Sequence, residues 1–517
     1  MKPSFVLAID QGTTGTTALL LNARGEVSGR GYAELPQHFP RPGWVEHDGE
    51  EIWTSVLRAV RGALRAADGR RIAAIGITNQ RETTLLWERR SGRPVARAIV
   101  WQDRRTSERC AALKRAGLES AIRRKTGLVL DPYFSATKLE WLLGHAAAGT
   151  EGRSSAGGAR GGRPIGQAAR GLAARAKRGD LAFGTVDSWL LWKLTGGAVH
   201  ATDPTNASRT MLFALRGLRW DDSLLARFGV PRAVLPEVRP SSGEFGRTRG
   251  VPGLPDGVPI AGIAGDQQAA LFGQGCVTPG TSKNTYGTGC FLLTHTGGKP
   301  VLSRAGLLTT VACGARGEAA YALEGSVFIA GAALQWLRDG LGLLKGAAES
   351  DAIARSVEDA GGVVMVPAFV GLGAPYWRPD VRGALFGITR GTTRAHIVRA
   401  ALESLAFQSR DLVEAMAHDA RRRVSRLRVD GGAAANDFLM QYQADLLGVP
   451  VERPRVVETT ALGAGLLAGL GVGFWSSHRE LDRARRVERV FKPRRPRAWR
   501  EAEYARWKRA VGMLLGA

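Results

Sequence analysis

Apolar runs that end in short polar clusters recur along this chain. The first run, residues 5–9, leads through Asp10 into a Gly/Thr turn at 12–15 and a second apolar run at 18–21. Two apolar runs around such a turn predict a β-hairpin. The turn has no bulky side chain, so its backbone N–H groups are open to an anion. An ordinary hairpin with a polar turn is the alternative, and this stretch alone does not decide between them.

The same pattern returns at residues 71–82, 98–105 and 260–268, where charged, amide or aromatic residues follow each apolar strand. Ligands of α/β sheets bind beyond the carboxyl ends of the strands. Residues 428–436 form another strand, Gly-rich turn and helix start. Two halves that each present a strand, an acidic residue and a Gly/Thr turn predict a duplicated α/β domain closing on a shared cleft.

A Pro/Gly-rich stretch at 250–259 is the best domain boundary. We therefore predict an N-terminal domain at 1–252 and a C-terminal domain at 253–517. Between 144 and 180 the composition falls to Gly, Ala, Arg and Ser. This composition predicts a mobile low-complexity insert, at about 147–170, with no part in the chemistry.

The formal net charge of +25 raises the question of nucleic acid or an anionic membrane as partner. Both need clustered charge, whereas the basic residues here are spread along the chain, so we predict neither partner. Four cysteines without metal-site spacing indicate reduced thiols. The chain enters a strand at once, with no signal-peptide pattern, and its longest small-apolar segment, 461–475, is too short to span a bilayer. These features predict a soluble, cytoplasmic protein.

The phosphate-binding motifs of the chain limit the kinds of nucleotide site that it can contain. The chain has no Gly-x₄-Gly-Lys-[Ser/Thr] motif, which excludes a P-loop enzyme. Residues 463–468 nominally fit a dinucleotide fingerprint, but without a leading strand they indicate a helix of small residues packed against a neighbour. Gly/Thr turns remain at 12–15, 287–289 and 431–432. They predict an ATP site divided among distant turns, without a Walker lysine.

Several separate motifs resemble the FGGY carbohydrate kinases, and within that family the members that phosphorylate glycerol. The resemblance covers nearly the whole chain except the insert. The matching stretches are Asp10-Gln-Gly-Thr-Thr, Gln80-Arg81-Glu82, Trp101-Gln102, residues 131–141, Gly265-Asp266-Gln-Gln, residues 383–388 with 396–403, and Asp430-Gly-Gly-Ala-Ala-Ala-Asn436.

The resemblance implies an α/β fold of two ribonuclease H-like domains, of the actin and heat-shock ATPase type, flanking an interdomain cleft. The activity it implies is ATP-dependent phosphorylation of glycerol to sn-glycerol 3-phosphate and ADP, with Mg²⁺, in glycerol uptake and degradation. A homo-oligomer, either a dimer or a tetramer, is expected.

The implied general base is Asp266, because a primary alcohol must lose its proton as it attacks the γ-phosphoryl group. A plain helix cap is the alternative role for this residue. Arg81 and Glu82 are expected to hold two substrate hydroxyls, and Gln267 to orient the substrate or Asp266. The aromatic residues expected to line the pocket are Trp101, Tyr133 and Phe291.

The resemblance also assigns the nucleotide residues. Asp10 is expected to hold Mg²⁺. Gly331 has helix packing as its alternative role, and Asn436 has helix capping. The nucleotide set is Thr13, Thr14, Gly15 and Thr288 on the phosphates, Gly331 and Gln335 near the nucleotide, and Gly432 and Asn436 at the adenine and ribose.

Two departures from the family pattern limit the resemblance. Thr17 stands where many members carry an arginine that reaches the γ-phosphate, which puts that contact in doubt. The loop 246–259 has no histidine, so the family's regulatory features do not carry over. Three alternatives stay open: a kinase of pentuloses or longer polyols, an ATP-driven actin-like scaffold, and a nucleic-acid binder.

Overall fold

The computed structural model describes residues 5–66, 71–145, 167–378, 380–477, 480–481 and 485–516. The chain forms two compact units. Unit 1 comprises Met1–Ala269, Thr310–Ala319 and Thr460–Ala484, and unit 2 comprises Ala270–Thr309, Ala320–Thr459 and Arg485–Ala517. The domain boundary at 252/253 stays a prediction.

Most elements of the N-terminal half belong to unit 1. They are β1 (Phe5–Gln11), β2 (Gly15–Asn22), β3 (Val27–Glu34), β4 (Glu46–His47), α1 (Gly49–Leu64), β5 (Ile72–Asn79), β6 (Leu85–Glu88), β7 (Ala98–Ile99), α2 (Ser107–Arg115), α3 (Glu119–Thr126), α4 (Ser135–His145), α5 (Gln167–Arg178), β8 (Leu181–Gly184), α6 (Val186–Leu194), β9 (Ala201–Thr202), α7 (Pro204–Ala207), β10 (Phe213–Ala214), β11 (Arg219–Trp220), α8 (Asp222–Arg227), the 3₁₀ helix η1 (Arg232–Val234), β12 (Glu237–Val238), β13 (Ser242–Arg247) and β14 (Pro259–Gly265).

The main sheet of unit 1 has the strand order β13–β14–β5–β1–β2–β3. Strands β1, β2 and β3 form an antiparallel meander, which confirms the predicted first hairpin. Strand β5 lies parallel to β1, and β14 lies parallel to β5. Parallel neighbours bring their carboxyl ends to one edge of the sheet, so the residues that follow β1, β5 and β14 meet there.

One face of this sheet packs on α1 and α6. Alternating residues of β1 and β5 point to this side, among them the fully buried Leu7, Ile9 and Ile77. Apolar residues at helical spacing on α1, such as Ile52 and Val56, meet them. The other face carries Asp10, because adjacent strand residues point to opposite sides.

The helix of small residues predicted around 463–468 is confirmed as α14 (Thr459–Gly471). It lies on the second face of the unit 1 sheet. A Cβ on Gly76 of β5 would meet the Ala464 carbonyl oxygen at 2.1 Å, and one on Gly262 of β14 would meet the Ala468 nitrogen at 2.4 Å. Glycine is therefore required on the strands for the helix to approach this closely.

The low-complexity prediction is wrong for its C-terminal part. Helix α5 begins at Gln167, and Leu172 and Ala176, one turn apart, are buried. Ala, Leu, Arg and Lys are strong helix formers, so an Ala/Arg-rich composition favours a helix here. The rest of the predicted insert, 147–166, lies outside the described residues.

The remaining elements lie in unit 2 or cross the division. They are α9 (Asp266–Gly273), β15 (Ser282–Tyr286), β16 (Cys290–Gly297), β17 (Leu308–Cys313), β18 (Ala319–Val327), α10 (Gly331–Asp339), α11 (Glu349–Arg355), β19 (Val364–Val366), β20 (Ala384–Phe386), α12 (Arg394–Ala420), β21 (Leu427–Asp430), the 3₁₀ helix η2 (Gly432–Ala435), α13 (Asp437–Leu447), β22 (Val451–Pro454), β23 (Val487–Phe491) and α15 (Arg497–Leu515).

The sheet of unit 2 repeats the strand order of unit 1. Its strands run β17–β18–β16–β15–β21–β22–β23, so it has the six-strand order of unit 1 with β17 added at one edge. Antiparallel pairing joins β15 to β16 and β16 to β18, parallel pairing joins β15 to β21 and β21 to β22, and β23 is an antiparallel edge strand. Strands β1, β5 and β14 of unit 1 thus correspond to β15, β21 and β22. The predicted duplication is present in the topology, although the second copy opens at β15 rather than at residue 260.

The cysteines and the helices of the described residues bear on two further expectations. The four cysteines are free and buried, as predicted for reduced thiols. Across the described residues, none of the helices has both the length and the apolar character needed to cross a bilayer.

Candidate active site

The turn between β1 and β2 closes at the carboxyl edge of the unit 1 sheet. Gly12 N donates to Gly15 O at 2.9 Å, and Gln80 Nε2, from the end of β5, donates to Gly12 O at 3.2 Å. Thr13 is partly buried and Thr14 is exposed. Thr13, Thr14 and Gly15 therefore lie in one short turn, which is held by its own backbone and by β5.

The residues after β5 form a buried ion-pair cluster with the residue after β14. Arg81 Nε lies 2.9 Å from Asp266 Oδ1 and 3.8 Å from Glu82 Oε1. Arg81 and Glu82 side chains are 1% and 2% exposed, whereas Asp266 is 29% exposed. The cluster thus presents one accessible carboxylate, fixed by an arginine that is itself buried.

Asp266 directly follows β14 and therefore lies at the carboxyl edge of the unit 1 sheet, whereas the sequence analysis places it in the second domain. Its Oδ1 accepts from Gln267 N at 2.6 Å, in the manner of a cap. Gly265 N, one residue earlier, donates to Thr205 Oγ1 at 2.8 Å, and Gln268 Oε1 accepts from Arg81 Nη1 at 3.2 Å. Capping and catalysis are compatible here, because Oδ2 has no part in this bond.

Glu82 has a backbone conformation that non-glycine residues seldom adopt. Its φ is +61°, in the left-handed region. Its carbonyl oxygen accepts hydrogen bonds from Thr84 Oγ1 at 3.0 Å, Ser135 Oγ at 3.1 Å and Lys138 Nζ at 3.4 Å. Strained residues persist where surrounding contacts over-determine them, and such positions cluster at functional sites.

Two predicted pocket aromatics pack against each other and against the phosphate turn. The Trp101 and Tyr133 rings meet edge to face, with centroids 5.7 Å apart. Trp101 Nε1 donates to Thr13 Oγ1 at 2.9 Å. The Tyr133 carbonyl accepts from Lys138 Nζ at 2.7 Å. The indole therefore connects the predicted polyol residues to the predicted phosphate residues.

Asp10 lies close enough to Asp266 for their charges to repel. Burial, and next the charge of Asp266, raise the pKa of Asp10 to about 7. A divalent cation would remove that repulsion, and Mg²⁺ is bound in proteins by one or two carboxylates with waters and phosphate oxygens. No group of three or more His, Cys, Asp or Glu in the described part of the chain is arranged for a metal ion. The donor set fits Mg²⁺ held by Asp10 together with substrate phosphates.

In unit 2, the 287–289 turn that follows β15 is bound to the start of α10. Gly331 N donates to Gly287 O at 3.0 Å, and Ala330 N and Ala332 N donate to Thr288 O at 2.8 and 3.1 Å. A Cβ on Gly331 would meet Gly287 O at 2.6 Å. Thr288 and Gln335 are exposed. Gly331 thus packs against the 287–289 turn, which is its expected alternative role. A nucleotide contact at this turn stays a prediction.

The turn after β21 brings the last two nucleotide residues to the same edge of unit 2. Gly431 has φ +84°, and a Cβ there would meet the Tyr286 carbonyl oxygen at 2.4 Å. Gly432 is exposed. Asn436 caps α13, accepting from Leu439 N at 2.8 Å and donating to Ser350 Oγ at 3.0 Å. Its capping role is therefore present; a nucleotide contact stays a prediction.

The predicted site residues divide between the two units. The unit 1 cluster is Asp10, Thr13, Thr14, Gly15, Arg81, Glu82, Trp101, Tyr133, Asp266 and Gln267. The predicted residues in unit 2 are Phe291, on β16 opposite Thr285, and Thr288, Gly331, Gln335, Gly432 and Asn436.

Sequence reasoning missed two buried cations of the unit 1 cluster. Arg209 Nε lies 2.5 Å from Glu82 Oε1, and its side chain is 0% exposed. Lys138 is also fully buried. Arg209 lies in a mostly polar run, 202–210, that is buried throughout. Such a run between apolar segments indicates that polar residues are buried there, but it does not identify Glu82 as the partner of Arg209.

Comparison with known proteins accounts for nearly the whole chain. The model of the FGGY family of carbohydrate kinases, N-terminal domain, matches residues 5–273, and that of the C-terminal domain matches 282–472. A glycerol kinase of Myxococcus xanthus (strain DK1622) is 54% identical over 514 residues, 99% of each chain. A glycerol kinase of Dechloromonas aromatica (strain RCB) is 56% identical over 509 residues, 98% of this chain and 97% of the relative.

A solved structure shares the fold. The crystal structure of Plasmodium falciparum glycerol kinase with ADP superposes with a TM-score of 0.88 at 34% identity, covering 99% of this chain and 98% of that one. The two-domain α/β fold expected from the sequence is confirmed.

Proposed function

Since the chain belongs to the FGGY family of carbohydrate kinases, we propose that it transfers the γ-phosphoryl group of ATP to glycerol, giving ADP and sn-glycerol 3-phosphate. The observation that carries this proposal is the buried cluster in which Arg81 lies 2.9 Å from the accessible carboxylate of Asp266 and beside Glu82. The relatives named above, which are similar over their full length and are called glycerol kinases, support the choice of substrate. Such a reaction serves glycerol uptake and degradation.

Asp266 is the proposed general base. A primary alcohol is a weak nucleophile, so its proton must leave as its oxygen attacks the γ-phosphorus. The alcohol proton passes to Asp266, the new O–P bond forms, and the bond between the γ-phosphorus and the β,γ-bridging oxygen breaks. Arg81 fixes the direction of the carboxylate through its Oδ1, which leaves Oδ2 to accept the proton.

The polyol is proposed to bind through hydroxyl recognition. The buried Glu82 carboxylate accepts from one hydroxyl and the Arg81 guanidinium donates to another. Trp101 and Tyr133 provide apolar walls for the C–H groups, with Phe291 as a further proposed contact. Gln267, next to Asp266, orients the substrate.

Backbone turns and a metal ion are proposed to hold the nucleotide. Mg²⁺ on Asp10 would neutralise charge on the β- and γ-phosphates. The proposed phosphate ligands are Thr13, Thr14, Gly15 and Thr288; Gly331 and Gln335 are proposed near the nucleotide, and Gly432 and Asn436 at its adenine and ribose.

We also propose a cytoplasmic location, supported by the four free thiols, which are typical of a reducing compartment. A homo-oligomeric state is proposed from the resemblance alone. Sedimentation velocity of the purified chain tests it, and a monomer at all concentrations would contradict it.

A coupled ADP-release assay tests the activity. Glycerol, dihydroxyacetone, erythritol and xylulose are each supplied with ATP and Mg²⁺, and a no-polyol reaction reports the basal ATPase. We expect glycerol to give the highest kcat/KM and the product to be oxidised by a dehydrogenase specific for sn-glycerol 3-phosphate. Preference for xylulose would instead support the pentulose alternative, and ATP hydrolysis that ignores every polyol would support the actin-like one.

A further inference from the structure

Arg209 is a buried cation that none of the proposed steps uses. Its Nε lies 2.5 Å from Glu82 Oε1 and its side chain is fully buried. The guanidinium carbon lies 5.5 Å from the centroid of the Tyr133 ring and 5.2 Å from that of Phe134. Arg209 thus contacts two proposed substrate residues, Glu82 and Tyr133, and is itself fully buried.

Stability alone gives little reason for such an arrangement. Removing two charges from water is costly, and a buried ion pair is often no more stable than apolar residues of the same size. The pair nevertheless sits at Glu82, whose φ is +61° and whose carbonyl is held by Thr84, Ser135 and Lys138. Both the main chain and the carboxylate of Glu82 are therefore fixed from the protein side.

We propose that Arg209 is a positioning residue that fixes the Glu82 carboxylate for a substrate hydroxyl and thereby makes the enzyme select polyols by hydroxyl number. This inference rests on the proposed function and deepens it. An ionised carboxylate has about four lone-pair directions, so a bond to Arg209 leaves acceptor capacity for a hydroxyl.

A carboxylate held in one position discriminates between substrates with and without the hydroxyl, whereas a mobile carboxylate does not. When a substrate lacks the hydroxyl, a rigid buried carboxylate stays without that hydrogen bond, and the analogue is strongly rejected. Without Arg209, Glu82 is free to turn toward Arg81, whose Nε is 3.8 Å from Oε1. The loss of a hydroxyl then costs little, so the preference shrinks.

The test compares glycerol with 1,3-propanediol, which lacks the central hydroxyl, in the full-length chain. We expect Arg209→Met to lower the ratio of kcat/KM for the two substrates by roughly tenfold or more, mainly by raising KM for glycerol. KM for ATP should stay within about twofold, because the nucleotide residues are elsewhere in the proposal. Arg209→Lys, which keeps the charge but not the planar fork, should recover part of the ratio.

Arg105→Met is the matched control. Arg105 is also a buried arginine, 2% exposed, with 2.8 Å ion pairs to Asp103 and Glu46. It has no proposed contact with substrate. Its loss should lower thermal stability about as much as the loss of Arg209, without changing the substrate ratio.

A double-mutant cycle with Glu82→Gln decides the mechanism. If Arg209 acts through Glu82, adding Arg209→Met to Glu82→Gln changes the ratio no further. Equal ratios in wild type and Arg209→Met, or additive effects in the cycle, would overturn the inference. Should Arg209→Met fail to fold, Arg209→Lys and Arg209→Gln give the same readout. If wild type does not phosphorylate glycerol, the proposed function fails, and the ratio is measured on the polyol that is used and its deoxy analogue.

Discussion

The two units place different chemistry on equivalent strands. After β5 in unit 1 the chain continues with Arg81 and Glu82, both buried and ion-paired. After β21, the corresponding strand of unit 2, it continues with Gly431, Gly432 and alanines. The turn after β1 is joined to Trp101 through a side-chain hydrogen bond, whereas the turn after β15 is joined to α10 through backbone bonds. The same topology thus carries buried, ion-paired side chains after one strand and a glycine turn after its counterpart.

The proposed ligands explain this difference. Glycerol is small and uncharged, so it is distinguished from water and other polyols only by hydrogen-bond partners held at fixed positions. A nucleotide brings its own charge, and backbone N–H groups in turns can bind its phosphates without any side chain. Unit 1 should therefore be sensitive to changes in side-chain charge, and unit 2 to changes in the space around its backbone.

The largest effect is expected for Asp266→Asn. The amide keeps the shape but cannot accept the alcohol proton, so kcat should fall on the order of 10³-fold. KM for glycerol and for ATP should change only a few-fold, because Arg81 keeps Gln268 as a partner. Steady-state kinetics of the purified variant measure this.

Asp256→Asn is the control for that substitution. Asp256 is exposed and accepts a hydrogen bond from the Gly250 amide within the 250–258 loop, so its variant should match wild type. Turnover of Asp266→Asn within a few-fold of wild type would falsify the base assignment.

Lys138→Met tests the cost of buried charge in unit 1. Burial lowers the pKa of Lys138 to about 7; the charges of Glu82, Asp103 and Asp131 oppose this shift and Arg104 adds to it. In the unfolded chain the lysine holds its proton up to pH of about 10.5. Between these values the unfolded state binds more protons, so stability should rise with pH from about 7 toward 10.

The variant should lack this part of the pH dependence. From pH 7 to pH 9, wild type should gain about 2 kcal/mol relative to Lys138→Met, from the linkage between proton binding and unfolding. Urea unfolding at pH 7, 8 and 9 gives the two curves, and only their difference is interpreted, since other groups titrate in both proteins. Parallel curves would show that the buried lysine does not titrate in this range.

Local patterns made much of unit 1 predictable. The hairpin around Asp10 and the strands ending at Asn79 and Gly265 are continuous apolar runs with polar ends. Arg209 was not predictable, because its partner Glu82 is 127 residues away and no local pattern encodes such a pairing. Lys138 was missed because it is bound to the main-chain oxygens of Glu82 and Tyr133, and main-chain partners leave no mark on the sequence.

The placement of Asp266 depended on sheet order rather than on local pattern. Strand β14 looks like the opening strand of a second domain, but it pairs with β5, about 185 residues earlier in the chain. Where a sequence is duplicated, a strand–acid motif can belong to either copy, and only long-range pairing decides which. In unit 2 the glycine turns were predictable as turns, whereas their attachment to α10 was not.

Gly331→Ala should reveal the sensitivity of unit 2 to space. The added methyl would meet Gly287 O at 2.6 Å, so the 287–289 turn must move. We expect KM for ATP to rise roughly tenfold, with KM for glycerol nearly unchanged, as for a loss of uniform binding. Gly346→Ala is the control, because a Cβ there meets nothing within 4 Å. Equal ATP kinetics for both variants would contradict a nucleotide role for this turn.

The smallest effect is expected for Thr17→Arg, which restores the residue common in the family. Thr17 lies opposite Asp10 on β1 and opposite Tyr32 on β3, so the three side chains share one face of the sheet. A Cβ on Gly15 would meet the Tyr32 hydroxyl at 2.6 Å, so this face borders the proposed phosphate turn. Thr17 is only partly buried, and a longer side chain can extend there.

Two attractions compete for the new guanidinium. If it reaches the γ-phosphate, KM for ATP should fall by about two- to fivefold, since one charge-assisted contact in a partly exposed site contributes modestly. If it pairs with Asp10, ATP affinity stays unchanged and more Mg²⁺ is needed for half-maximal rate. Thr17→Met separates side-chain length from charge. Because the phosphates carry more charge than Asp10, we expect the first outcome, and a raised Mg²⁺ requirement with unchanged KM would refute it.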